Sequence, residues 1–179
     1  MSAVPLYDAT IVVAKQALET LRDLLVKAQA HPEAATLPQA RLIDDMLPFT
    51  FQVQTVSNFA KKTVERLTGR DLDVWEDNET TLEQLAARVQ KTLDLLDTVK
   101  PEDLVKGGAE ETHELKFGPN LTSPATTHQY VLGYYIPNLF FHLSTAYGLL
   151  RSKGLDIGKK DYIKHFVSPF FPPRNPEQQ

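Results

Sequence analysis

The chain has 179 residues, 42% of them apolar, which is enough for one domain with a sizeable core and short for two. Its 19 Lys and Arg against 23 Asp and Glu leave a formal charge of -4 with no sustained basic run, which argues against nucleic acid and anionic membrane as partners. Without cysteine there are no disulfides, no thiolate chemistry and no Cys-based zinc or iron–sulfur sites, so Asp, Glu, His, Asn, Gln and Tyr carry whatever chemistry exists.

Met1 to Pro5 lacks the basic flank and apolar centre of a secretory signal, and no apolar run reaches the roughly 20 residues that cross a bilayer. A cytoplasmic protein is expected. The first helix is predicted from about Leu6 to Ala30, where Val12, Val13, Leu18, Leu21, Leu24, Leu25 and Ala28 form a broad apolar side. His31-Pro32 ends it, because proline restricts its predecessor. The second helix is predicted from Pro38 or Arg41 to Leu67, with a kink or a fresh start at Pro48. Phe49, Gln52, Val56, Phe59, Ala60, Thr63 and Leu67 share one of its faces, while Gln54, Asn58, Lys61 and Lys62 read as solvent-facing.

An acidic connection with Trp75 follows. Thr80 and Glu83 fit a capping box for a third helix carrying Leu82, Leu85, Ala86, Val89, Leu93 and Leu96, which ends near Lys100-Pro101. Gly107 to Ser123 is the least helical region; Thr112 to Phe117 reads as a strand or a hairpin arm, and the loop as either a lid or a plain crossover. Ser123-Pro124 is predicted to open the fourth helix, which runs to about Ser152 with a distortion at Pro137. Lys159 to Val167 forms a turn. The predicted division is residues 1–167 as one helical-bundle domain and 168–179 as a proline-rich tail, disordered from Arg174.

The chemistry concentrates on the fourth helix. Asn138 and His142 are four residues apart, hence on one face, amid Val131, Tyr135, Leu139, Ala146 and Leu149. A polar pair on a core face either positions a ligand or closes a buried hydrogen-bond network. If the second helix faces this stretch, Gln52 meets the pair, with Asp45 one or two turns earlier and the hydroxyls of Tyr134 and Tyr135 nearby. The catalytic candidates are therefore His142 and Asn138, and the substrate-binding candidates Gln52, Asp45, Tyr135 and Tyr134. No cofactor is predicted: there is no phosphate loop, no HExxH and no serine elbow. A divalent metal is disfavoured, since His142 is the one imidazole placed in the core and carboxamides are poor substitutes.

Three segments, ARLIDDMLPFTFQVQTVSNFAKKTVERLTG, DNETTLEQLAARVQKTLDLL and NLFFHLSTAYGLLRSKG, occur in the order that resembles an uncharacterised family, domain of unknown function family 1993. That family is similar to the DinB/YfiT-like bundles, over about Leu6 to Tyr162 here. The resemblance implies an all-α, DinB-like four-helix bundle whose long crossover holds a short strand or hairpin. It also implies a homodimer. The wider superfamily often holds a divalent metal on three histidines, one from the second helix and an HxxxH pair on the fourth. His142 matches the second of that pair, Asn138 replaces the first, and Gln52 or Gln54 stands where the helix-two histidine would be. The functional readings are a small-molecule-binding protein or enzyme with an interhelical polar pocket, a non-catalytic structural or interaction protein, and a metal-dependent enzyme with a degenerate site. The sequence does not choose among them.

Overall fold

Leucines and alanines spaced three and four apart wind the N-terminal segment into a π-helical turn, Asp8–Val12, that continues as α1, Val13–Gln29, with Ala14, Leu18, Leu21, Leu25 and Ala28 buried. The computed structural model describes residues 4–104, 111–117 and 120–171. A 3-10 segment, Ala34–Gln39, contains Pro38, and α2, Phe49–Thr68, begins afresh with extended Pro48 as its N-cap. The earlier start at Pro38 or Arg41 is thus corrected. Two hydrogen bonds fold the intervening loop back on the helix start: the Phe49 N–H donates to the Ala40 carbonyl at 2.9 Å and Thr50 Oγ1 to the Pro38 carbonyl at 2.6 Å. Gly69, at φ +70°, ends α2 in the left-handed conformation that glycine adopts without a Cβ penalty.

α3, Leu82–Asp97, carries a capping box one residue later than predicted, at Thr81 and Gln84 instead of Thr80 and Glu83. The Gln84 N–H donates to Thr81 Oγ1 at 3.3 Å, and Gln84 Oε1 accepts from the backbone N–H groups of both Thr80 and Thr81. The later register places Leu82 in the core at the first helical position. A 3-10 turn, Pro101–Asp103, follows.

The crossover contains a hairpin: β1, Thr112–Phe117, pairs antiparallel with β2, Leu121–Thr126, with Glu114 opposite Pro124. Ser123-Pro124 therefore lies in a strand and does not open a helix. Pro124 is tolerated there because a two-stranded sheet consists only of edges, where a missing N–H costs no ladder bond. The real cap is Thr126, which forms a capping box with Gln129. From it one helical run proceeds through α4, Thr127–Gln129, a π-helical stretch, Tyr130–Tyr135, and α5, Ile136–Ser152. Pro137 accounts for the π stretch. Its ring nitrogen cannot bond to the carbonyl four residues back, so the turn widens, and the Ile136 N–H reaches the Val131 carbonyl five residues away. Lys159–Val167, expected as a turn, is a helix of nine residues, α6, and the described chain continues to Phe171.

Around the bundle the order is α1, α3, α2, α5, with α6 on the outside of α1. The apolar faces of these helices merge into one core that includes Ile11, Phe49, Val53, Leu85, Tyr130, Tyr135 and Leu139. The fold is the expected all-α bundle with a small two-stranded sheet in its crossover. Among the described residues no helix is long and apolar enough to cross a membrane. The predictions for Gly107, Gly118, Pro119 and Pro172 to Gln179 fall outside the described residues.

Candidate functional site

α2 and α5 lie side by side, and the contact brings the predicted polar residues of their middle turns together. His142 Nδ1 is 2.8 Å from Gln52 Oε1, and Gln52 Nε2 donates to the Leu47 carbonyl at 3.0 Å. The second bond decides the first. A backbone carbonyl only accepts, so the amide nitrogen of Gln52 must face Leu47 and its oxygen must face the imidazole. Nδ1 therefore carries the proton, and in the neutral ring the lone pair sits on Nε2. Gln52 is buried, and its location next to the helix start explains why the free carbonyl of Leu47 is within reach.

Three aromatic rings surround the imidazole. Phe51 and Phe141 meet it edge-on with centroids at 5.9 and 5.1 Å, and Phe59 stacks on it at 6.2 Å with planes inclined by 25°. Burial in this apolar setting pushes the His142 pKa down, and no charged group contributes to the shift. The ring is neutral at pH 7. Nε2 has no hydrogen-bond partner among the described residues, where no side-chain nitrogen or oxygen is both enclosed and unpartnered, so Nε2 reaches solvent. The half-buried imidazole thus offers water, or a ligand, one fixed acceptor.

The other predicted residues divide. Asn138 is on the same face but turns its Nδ2 to the Tyr134 carbonyl at 2.7 Å, serving a backbone group of the distorted turn around Pro137. Tyr134 is half-buried, edge-on to Phe59 at 5.6 Å, with its hydroxyl 3.4 Å from the Lys116 carbonyl of β1. Tyr135 points elsewhere: it is fully buried and its hydroxyl donates to the Thr10 carbonyl at 3.2 Å, on the far side of the core. Its burial pushes the phenol pKa up. Asp45 is exposed in the loop before Pro48. Neither of the last two is brought to His142.

A divalent metal does not fit this donor set. The amide nitrogen of Asn138 is spent on its own helix, Gln52 Oε1 on Nδ1, and among the described residues no group of three or more His, Asp or Glu could hold an ion. Nε2 alone falls short of the three or four protein donors that a bound zinc ion requires.

Sequence reasoning missed a second polar cluster. Gln54 and Lys61, read as solvent-facing, are buried under the acidic connection between α2 and α3. Its anchor is Arg88, whose side chain is 3% exposed. Arg88 Nε donates to Ser57 Oγ, one terminal nitrogen to Glu79 and the Glu76 carbonyl, and the other to Asn58 Oδ1 and Asp77. Gln54 Nε2 also donates to Glu79 at 2.9 Å. Burial alone would raise the Glu79 pKa; the hydrogen bonds from Arg88 and Gln54 outweigh it and leave the carboxyl below its ordinary range. A cavity of about 400 Å3 lies against this cluster, lined in part by Trp75, Glu79 and Arg88. All the guanidinium donors have partners in the protein, which makes the cluster a clamp for the connection. The signal was present in the spacing, since Arg88 falls between Leu85 and Thr92 on the apolar stripe of α3.

Comparison with known proteins bears out the resemblance read from the three segments. The family described as a domain of unknown function, DUF1993, matches residues 6–163. Among solved structures, a DinB family member protein from Shewanella denitrificans is similar, with 32% sequence identity, a TM-score of 0.80 and coverage of 96% of each chain. No curated protein matches.

Proposed function

The chain belongs to the DUF1993 family and has a DinB-like fold, and we propose that it is a small-molecule-binding protein whose ligand is held at His142, between α2 and α5. The observation that carries this reading is the chain of bonds from the Leu47 carbonyl through Gln52 to Nδ1, which leaves the Nε2 lone pair aimed at solvent. A ligand hydroxyl or N–H donates to Nε2; where that proton is acidic, the same nitrogen accepts it as a general base. Asn138 stands one turn away with its Oδ1 as a further acceptor, and Tyr134 flanks the same turn.

The test is a screen of a broad fragment library, including charged and aliphatic compounds, against protein labelled with 15N-histidine. Long-range proton–nitrogen spectra are expected to show His142 protonated at Nδ1 and some fragments shifting its Nε2 resonance. The same fragments should fail to bind folded His142→Ala. A proton on Nε2, or no fragment of any class acting on it, would refute the reading. One observation favours a second reading, a purely structural pair: every enclosed polar side chain among the described residues is satisfied. Under that reading His142→Ala lowers stability and changes no binding.

A further inference from the structure

We infer that the occupant of the His142 site is an uncharged ring compound bearing a hydroxyl or N–H donor and an apolar substituent, a conclusion that rests on reading Nε2 as the ligand's acceptor. Three features converge on this class. The first is charge. Burial is what lowers the His142 pKa, and no charged group contributes to the shift. Of the three cations of α2, Lys61 pairs with Glu65, Arg66 lies over the Tyr130 ring and toward the Glu114 carbonyl, and Lys62 is exposed to solvent. A carboxylate or ammonium ligand would lose water here and gain no counter-charge.

The second is shape. Phe51 and Phe141 stand steeply inclined to the imidazole, at 69° and 89°, Phe59 lies closer to parallel with it, and Tyr134 extends this aromatic wall along Phe59. Flat rings gain most against such walls, through edge and stacked contacts. The third is the neighbouring cleft. Phe141, 58% exposed, meets His142 and also lines a cleft of about 580 Å3 with Leu42, Met46, Phe140 and Leu149. No charged side chain lines it, and its two hydroxyls are committed, Ser144 to the Tyr162 hydroxyl and Thr145 to the Phe141 carbonyl. An alkyl group leaving the ring past Phe141 enters this cleft and removes apolar surface from water on both sides.

The probes are phenol, anisole, benzoate, cyclohexanol and 4-pentylphenol, titrated into the full chain and followed at His142 Nε2. Phenol is expected to bind about tenfold tighter than anisole, which lacks the donor, and than benzoate, which carries charge. It should also exceed cyclohexanol, which lacks the flat face. 4-Pentylphenol should gain at least about another tenfold, and that gain should vanish in Gly148→Leu. Gly148 lines the cleft and a Cβ there meets nothing within 4 Å, so the helix accepts a side chain at this position and a leucine is expected to occupy the cleft. Equal binding of benzoate, anisole or cyclohexanol overturns the ligand class, as does a pentyl gain that survives in Gly148→Leu. Silence from all five probes overturns it too. If the broad library still yields charged or aliphatic compounds acting on Nε2, the class fails and the site stands; if the library also yields nothing, both fall.

Discussion

At the scale of single residues, the position of one proton sets the chemistry of the site. Gln52 fixes the tautomer of His142 because its own amide is fixed by the Leu47 carbonyl. Gln52→Leu removes both bonds while keeping the volume apolar. The imidazole should then exchange between tautomers, visible as averaging of its two nitrogen shifts, and urea denaturation should report a loss of about 1–2 kcal/mol from the unmade buried bonds. An unchanged Nδ1-protonated ring in Gln52→Leu would show that something other than Gln52 sets it. A pH dependence follows from the same site. The folded-state pKa of His142 lies below its ordinary value, so its contribution to stability is complete above about pH 6.5 and is lost as the pH falls through the depressed value. The added proton goes to Nε2, since Nδ1 already has one. Ligand binding at Nε2 should therefore weaken as the pH falls through the depressed pKa, and a pH titration of phenol binding that stays flat through and well below it, with the fold retained, would contradict the tautomer assignment.

At the scale of elements, what was legible in the sequence was the pattern that each helix shows alone. α1 and α3 were legible from their apolar spacing, the break at Pro48, read as a kink or a fresh start of α2, from proline's missing donor, and the distorted turn before α5 from Pro137. What escaped depends on pairing between elements. Ser123-Pro124 reads locally as a helix cap, and only its partner strand, Thr112–Phe117, makes it part of a hairpin. Gln54 and Lys61 look solvated on an isolated α2, and only the connection covers them, through Glu79, held by Arg88 of α3, at Gln54 and Trp75 at Lys61. Two substitutions test these assignments. Thr126→Ala removes the cap of the last long run and should cost about 1 kcal/mol, against no effect for Ser123→Ala; the reverse order would restore the earlier helix start. Arg88→Met leaves Glu79 half-enclosed without its cation and should cost about 3 kcal/mol. The exposed Asp77 contributes little to that figure, because solvent screens it. The depressed Glu79 carboxyl stabilises the fold above its ordinary pKa and ceases to do so as acid protonates it. Arg88→Met should therefore show a flatter stability profile below about pH 5.

At the scale of the whole molecule, α6 is a helix held by polar and aromatic contacts at the surface of the bundle. None of its residues is buried. Its polar attachment to α1 consists of His165 between Glu19 and Asp23, Lys164 on Asp23, Asp161 on Lys27, and the Thr20 hydroxyl donating to the Tyr162 carbonyl at 3.2 Å. Toward α5 it has aromatic contacts, Tyr162 with Tyr147 and Phe166 with Phe140, and the Tyr162 hydroxyl on Ser144. Asp23 is the hub: burial would raise its pKa, but the bonds from His165 and Lys164 outweigh that and hold it low. A segment attached in this way opens at lower free energy than the core helices. Hydrogen exchange at neutral pH should accordingly find the amides of Lys159–Val167 faster than those of α1 and α3 in the native protein. Asp23→Asn withdraws the charge from two partners at once and should speed exchange in α6 several-fold, with α3 unchanged. Each lost pair is partly exposed and worth about 1 kcal/mol at most, which limits the effect to the local opening and spares global stability. An equal acceleration in α3 would mean that α6 and the bundle open as one cooperative unit. Because Phe140 and Ser144 line the apolar cleft and also touch α6, a freed α6 in Asp23→Asn should also widen that cleft. The pentyl gain of 4-pentylphenol should then fall while the affinity of phenol itself stays constant.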